Sequence, residues 1–97
     1  MRILSKRTLR EFWENHPDCK SQLIGWYQEV KQNDYQDLHQ LLKHFPKCRA
    51  IGKNRYVFNI KGNKYRLVVK VNFNLNTVWI RFVGLHKDYD NINTLEI

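Results

Sequence analysis

From residue 5 onward the chain reads in two periods, a helical one and then a strand one. Leu9, Phe12, Trp13 and His16 recur at i, i+3, i+4 and i+7, the spacing that gathers side chains on one helix face. Ser5 is placed to cap this helix and Pro17 to end it. Pro17 also suits the first turn of a second helix, with Asp18 favourably set at the positive end of its dipole. Cys19, Leu23, Trp26, Tyr27 and Val30 continue the helical spacing, and Asn33-Asp34 supplies a break and an N-cap. Leu38, Leu41, Leu42 and Phe45 then mark a third helix, stopped by Pro46. Arg2–Leu4 reads as a short opening strand. The three stripes are read as core contacts, with Trp13, Trp26 and Tyr27 inside and not serving as base-stacking platforms.

After Pro46 the period falls to two. Tyr56, Phe58 and Ile60 alternate with Val57, Asn59 and Lys61, and Gly62-Asn63 predicts a two-residue hairpin turn. Tyr65, Leu67, Val69, Val71 and Phe73 alternate with Arg66, Val68, Lys70 and Asn72. Asn74-Leu75-Asn76 turns the chain again, and Val78, Ile80 and Phe82 are set against Trp79, Arg81 and Val83. The polar tail from Lys87 predicts one helical turn around Tyr89 and then a frayed end. The expected fold is α+β: a short N-terminal strand, two to three helices, a three-stranded antiparallel meander and a short C-terminal turn or helix. One face of the meander packs on the helices and the other is half covered. No repeat, low-complexity segment or linker interrupts residues 1–97, so a single domain is expected.

Length bounds the chemistry. A 97-residue chain buries about two-thirds of its unfolded surface, enough for a core but too little for deep pocket walls. Multidomain enzymes and nucleotide-cofactor domains with a separate substrate domain are excluded. Cys19 and Cys48, 29 residues apart and in no ligand-pair spacing, are expected as free, buried thiols. His44 and Cys48 stand at i, i+4, but Pro46 breaks the helix between them, so no metal site is expected. With no apolar signal segment after Met1 and no run long enough to span a bilayer, the expected compartment is the cytoplasm, with no membrane partner.

Charge changes the picture further. The chain carries 17 Lys+Arg against 9 Asp+Glu, a net +8. Residues 1–48 hold eight basic and six acidic side chains, residues 49–97 nine and three. From Leu38 to Lys87 there is no acid at all, against eleven bases. Solubility is served by mixed signs, so fifty residues without an acid point to a polyanion, and nucleic acid is the usual one.

The polar side of the meander is where chemistry could sit. Asn59 and Arg66 become cross-strand neighbours if the first turn is tight, and Lys61 and Arg81 are expected to join them. His86 and Tyr89 rim the strand end. Cleaving RNA takes a base for the 2′-OH, cations around the phosphorane and an acid for the departing 5′-oxygen. His86 is of the side-chain type that serves as acid or base in such steps. Arg66 and Arg81 carry planar forks matched to phosphate oxygens, Lys61 can hold phosphate or exchange a proton, and Tyr89 can donate or stack. Asn59, Asn63, Lys64, Lys70 and Lys87 are the candidate RNA contacts around them. Each of these side chains is also ordinary on a solvated surface. Composition and spacing therefore carry the reading to a basic α+β domain that binds nucleic acid, with cleavage left open.

The run Tyr56-Val57-Phe58-Asn59-Ile60-Lys61-Gly62-Asn63, followed by Tyr65-Arg66-Leu67, Ile80-Arg81-Phe82-Val83-Gly84 and His86-Lys87-Asp88-Tyr89-Asp90, resembles the HigB toxins. These are RelE-like mRNA interferases of type II toxin–antitoxin systems. The resemblance implies a RelE-like fold and a metal-independent endoribonuclease that needs no cofactor and cuts mRNA, generally on the ribosome. It also implies a helix-turn-helix antitoxin of the HigA type, through which operator DNA is contacted. By position, Arg66 and Arg81 match basic strand residues used at the scissile phosphate, and Lys61 matches the basic residue on the preceding strand. His86 and Tyr89 fall where acid–base or stacking groups stand. Leu85 occupies a position where members often carry Thr, and the split of acid and base roles stays open. The reading set against this one is a non-catalytic RNA- or ribosome-binding module that blocks translation.

Overall fold

The structure is a computed structural model describing residues 1–97. Strand β1 (Arg2–Leu4) leads into helix α1 (Lys6–Asn15), which buries Leu9 and Trp13 from the expected stripe. Ser5 makes the whole strand-to-helix change in one left-handed residue, φ 72°, and its hydroxyl caps nothing, so the expected hydroxyl cap is absent. A single 3-10 turn (Pro17–Cys19) opens helix α2 (Lys20–Gln32), which buries Leu23, Trp26 and Val30. Helix α3 (Leu38–His44) buries Leu41. Its cap is Asp37, whose carboxylate accepts from the Gln40 N–H at 2.9 Å, and not Asn33-Asp34. Those two residues are otherwise engaged. Asn33 closes α2, while Asp34 accepts from the Asn76 amide at 2.8 Å and faces the Met1 ammonium.

His44 is tied into the helical layer, Nδ1 to the Tyr35 hydroxyl at 2.6 Å and Nε2 to Glu29 at 3.0 Å, so both ring nitrogens are engaged away from Cys48. Cys19 and Cys48 are free and buried, as their spacing suggested. Burial pushes the Cys48 thiol up to about 12 and raises that of Cys19 as well. No helix is long and apolar enough to cross a membrane.

The expected three-stranded meander is the centre of a wider sheet. Strands β2 (Arg49–Gly52), β3 (Arg55–Ile60), β4 (Tyr65–Asn72) and β5 (Thr77–Leu85) join β1 in the order β1-β5-β4-β3-β2, with β1 parallel to β5 and the other pairs antiparallel. The architecture is α+β, four helices with a five-stranded mixed sheet. Arg49-Ala50-Ile51-Gly52 carries no alternation because it is an edge strand, largely solvent-exposed and irregular between Ala50 and Gly52.

The first hairpin keeps the expected register, Asn59 opposite Arg66 and Ile60 opposite Tyr65. The turn forms on Gly62-Asn63, with the Lys64 N–H donating to the Lys61 carbonyl at 3.2 Å, but it is closed by that one bond and the ladder ends at Ile60 and Tyr65. The Lys61 N–H goes to the Gln22 side chain on α2 at 2.7 Å, and Lys61 and Gly62 both take positive φ. The larger correction lies in β5. Val68 faces Phe82 but Val69 faces Ile80, leaving Arg81 as the extra residue of a β-bulge. One added residue exchanges the faces of everything beyond it. Val83 and Leu85 therefore turn to the helical core, while Phe82 and Gly84 turn outward, reversing the expected alternation after Ile80.

The helical face of the sheet contributes Tyr56, Phe58, Ile60, Tyr65, Leu67, Val69, Val71, Val78 and Ile80 to the core with α1–α3. The outer face is partly closed too, since Val57 and Val68 are fully buried. Helix α4 (His86–Tyr89) packs on β4 and β5, and the following residues return to the β2–β3 edge. There the Ile97 carbonyl accepts from Arg55 Nε at 3.2 Å, and Leu95 fills the space above Gly52. The tail is thus docked, not frayed.

Candidate functional site

Arg66 lies on the outer face of β4, between Asn59 of β3 and Gly84 of β5. Gly84 leaves room that the Phe82 ring occupies; a Cβ there would meet the ring at 2.5 Å. Arg66 is only 6% exposed. Its Nη1 donates to the Asn63 carbonyl at 3.1 Å and weakly to the Tyr65 carbonyl at 3.4 Å, and its Nε is buried without an acceptor. None of the ion pairs in the structure includes it. A permanently charged fork, buried and lacking an anion, is costly to hold in place.

Helix α4 supplies the neighbours. The His86 N–H donates to the Lys64 carbonyl at 3.1 Å, extending the β4–β5 pairing by one rung before the chain turns helical. His86, Tyr89 and Asp90 stand at i, i+3 and i+4 and share a face. The Tyr89 ring centroid lies 5.9 Å from the Arg66 guanidinium carbon. Asp90 Oδ2 is 3.1 Å from His86 Nδ1. Both side chains of this pair are exposed.

The structure thus gathers Arg66, Tyr89 and Asn63 at one corner of the sheet, with His86 on the same short helix as Tyr89. Asn59 joins through a 3.4 Å contact of its Nδ2 with Asn63 Oδ1. Lys64 contributes its backbone, but its ammonium is turned away to Asp18 Oδ2 at 2.8 Å. Lys61 lies in the loop, and no hydrogen bond or ion pair joins its ammonium to Arg66, His86 or Tyr89. Exposed Arg81 sits in the bulge, three residues before Gly84, or about 10 Å of strand. Lys70 is four residues from Arg66 on β4, its ammonium 5.8 Å from the Trp79 ring centroid. Lys87 is exposed on α4. Grooves of about 370 and 400 Å³ run along the helical layer, and neither is lined by Arg66, Arg81, His86 or Tyr89.

Sequence reasoning missed Asp90, Gly84 and Asp18. The i, i+4 spacing of His86 and Asp90 was a usable signal. Gly84 carried none, because its role depends on the bulge that brings Phe82 to the same face.

A profile of the HigB toxins, described as the RelE-like toxic component of a toxin-antitoxin system, matches residues 19–92. The chain belongs to the HigB toxin family. Arg66, Arg81, His86, Tyr89 and Asp90 all lie within the HigB match, and Asp18 lies just before it. Among HigB relatives, the chain is 29% identical over 93 residues to the mRNA interferase toxin HigB of Escherichia coli K12, covering 93% of this chain and 88% of the relative. The mRNA interferase HigB of Shigella flexneri matches to the same extent. The mRNA interferase HigB of Escherichia coli O6:H1 is 24% identical over 94 residues, 95% of this chain and 91% of the relative.

Proposed function

We propose that residues 1–97 form one RelE-like toxin domain that acts as an mRNA endoribonuclease in the cytoplasm, cutting transcripts on the ribosome. A HigA-type helix-turn-helix antitoxin would neutralise it and carry the contact with operator DNA. The observation that supports this reading most is Arg66, a buried guanidinium with an unpartnered Nε and no carboxylate, beside Tyr89 on an open basic surface. Open geometry suits a substrate that a larger particle presents. The names of the HigB relatives point the same way.

In this reading the scissile phosphate sits against Arg66. The 2′-oxygen bonds to phosphorus as the bond to the 5′-oxygen breaks, giving a 2′,3′-cyclic phosphate and a 5′-hydroxyl. One proton leaves the 2′-OH and one reaches the 5′-oxygen, and no metal enters. His86 Nε2, with Asp90 on the other nitrogen, moves one of these protons. Arg66 stabilises the charge of the phosphorane, and Tyr89 donates to an oxygen or stacks on a base. Arg81, Lys61 and Lys70 hold flanking phosphates, with Asn59, Asn63 and Lys87 contacting the strand, while Lys64, its ammonium held by Asp18, contributes only its backbone.

The test is induced expression with primer extension on translated and on ribosome-free mRNA. New 5′ ends are expected on translated message, lost by roughly a hundredfold or more in Arg66→Ala and His86→Ala. Growth arrest without new ends would replace this reading with a binder that blocks translation. Full toxicity of both variants, and of Arg81→Ala, would move the site elsewhere.

A further inference from the structure

The only acidic side chain paired to the β3–β4 hairpin comes from the helical layer, and both its oxygens are committed. Asp18, in the 3-10 turn, accepts from Lys64 Nζ through Oδ2 at 2.8 Å and from the Tyr65 hydroxyl through Oδ1 at 2.7 Å. Tyr65 is buried and packs edge-on against Phe12 and His16, which stack on each other, so its hydroxyl has a fixed place. The backbones of the two gripped residues face the candidate site: the Lys64 carbonyl receives the His86 N–H at 3.1 Å, and the Tyr65 carbonyl lies 3.4 Å from Arg66 Nη1. One carboxylate thus holds the side chains of two adjacent residues whose carbonyls meet the start of α4 and the guanidinium.

We propose that Asp18 is a positioning residue for the phosphate site. It fixes Lys64 and Tyr65 from across the sheet so that His86 and Arg66 stand in register with one substrate phosphate. This rests on the endoribonuclease reading above. Asp18 touches no substrate, so its removal acts on geometry. A displacement of about 1 Å at reacting groups costs up to a hundredfold in rate.

The test uses the full chain and translated mRNA, comparing Asp18→Ala, Asp18→Asn and Asp18→Glu with the unaltered protein. For Asp18→Ala, kcat is expected to fall by about tenfold to a hundredfold with KM within about twofold, and exchange of the His86 amide is expected to quicken. Asp18→Glu, which can reach both partners again, is expected to recover most of each. Asp18→Asn, isosteric and with one acceptor oxygen left, serves if Asp18→Ala does not fold, and is expected to fall between wild type and Ala. Three outcomes would overturn the proposal: kcat within about twofold of wild type while Arg66→Ala is inactive, an unchanged His86 amide, or a loss that tracks the unfolded fraction and is not rescued by Glu. If the unaltered protein cuts no RNA, the functional reading falls, and amide exchange alone decides whether Asp18 holds α4.

Discussion

Arg66→Met separates stability from activity at one position. The arginine is 6% exposed, its Nε has no acceptor, and its two hydrogen bonds go to neutral carbonyls at 3.1 and 3.4 Å. The longer bond is near the geometric limit and contributes little; the shorter, from a charged donor, contributes about 1.5–3 kcal/mol. Against it stand the orphaned Nε, costing about 1–3 kcal/mol, and the burial of a guanidinium without a counter-ion, costing several more. Methionine keeps most of the buried stem and removes both penalties. The expected result is a protein more stable by about 1 kcal/mol, or a midpoint higher by roughly 4–8 °C for a domain this size, that no longer cuts RNA. Urea and thermal unfolding followed by the fluorescence of buried Trp13 and Trp26 measure the first part, and primer extension the second. A variant destabilised by more than about 1 kcal/mol would refute the argument, because the guanidinium would then have internal partners worth more than its desolvation.

Two further outcomes follow from contacts at the same corner. Gly84→Ala places a Cβ 2.5 Å from the Phe82 ring, so a loss of about 1–3 kcal/mol in urea unfolding is expected, largely absent in a Phe82→Ala background; an equal loss in both backgrounds would show that Phe82 is not the obstacle. The hydrogen bonds from Lys64 and Tyr65 hold the Asp18 carboxyl below its usual 3.8, so its contribution to stability is present above that value and lost as pH falls through the lowered one. Unfolding midpoints at pH 6 and pH 2.5 should therefore differ less in Asp18→Asn than in the wild type, and equal differences would mean that the pairing adds nothing to folding stability.

Local patterning determined the helices, the central hairpin and the candidate residues. Leu9 with Trp13, Leu23 with Trp26 and Val30, and Leu41 all recur at helical spacing because a helix repeats within four residues, and those positions are buried. The alternation from Tyr56 fixed which face of β3 and β4 meets the helices, and therefore placed Arg66 outside. The acid-free stretch from Leu38 to Lys87, with its eleven bases, is likewise set by the sequence alone.

Tertiary structure decided everything set by a partner distant in sequence. Arg49–Gly52 is a strand because β3 offers it an edge, and β1 finds its place beside β5, some 75 positions later. The bulge at Arg81 is a mismatch between two strands, invisible in either alone, yet it turns Phe82 and Gly84 outward and leaves Arg81 some 10 Å of strand from the Gly84–Arg66 pair. Asp18 is 46 residues from Lys64, and no periodicity links them. A sequence displays the preferences of neighbours, which act within a few residues. It does not display loop closure and strand pairing, whose energies belong to pairs that only the folded chain brings together.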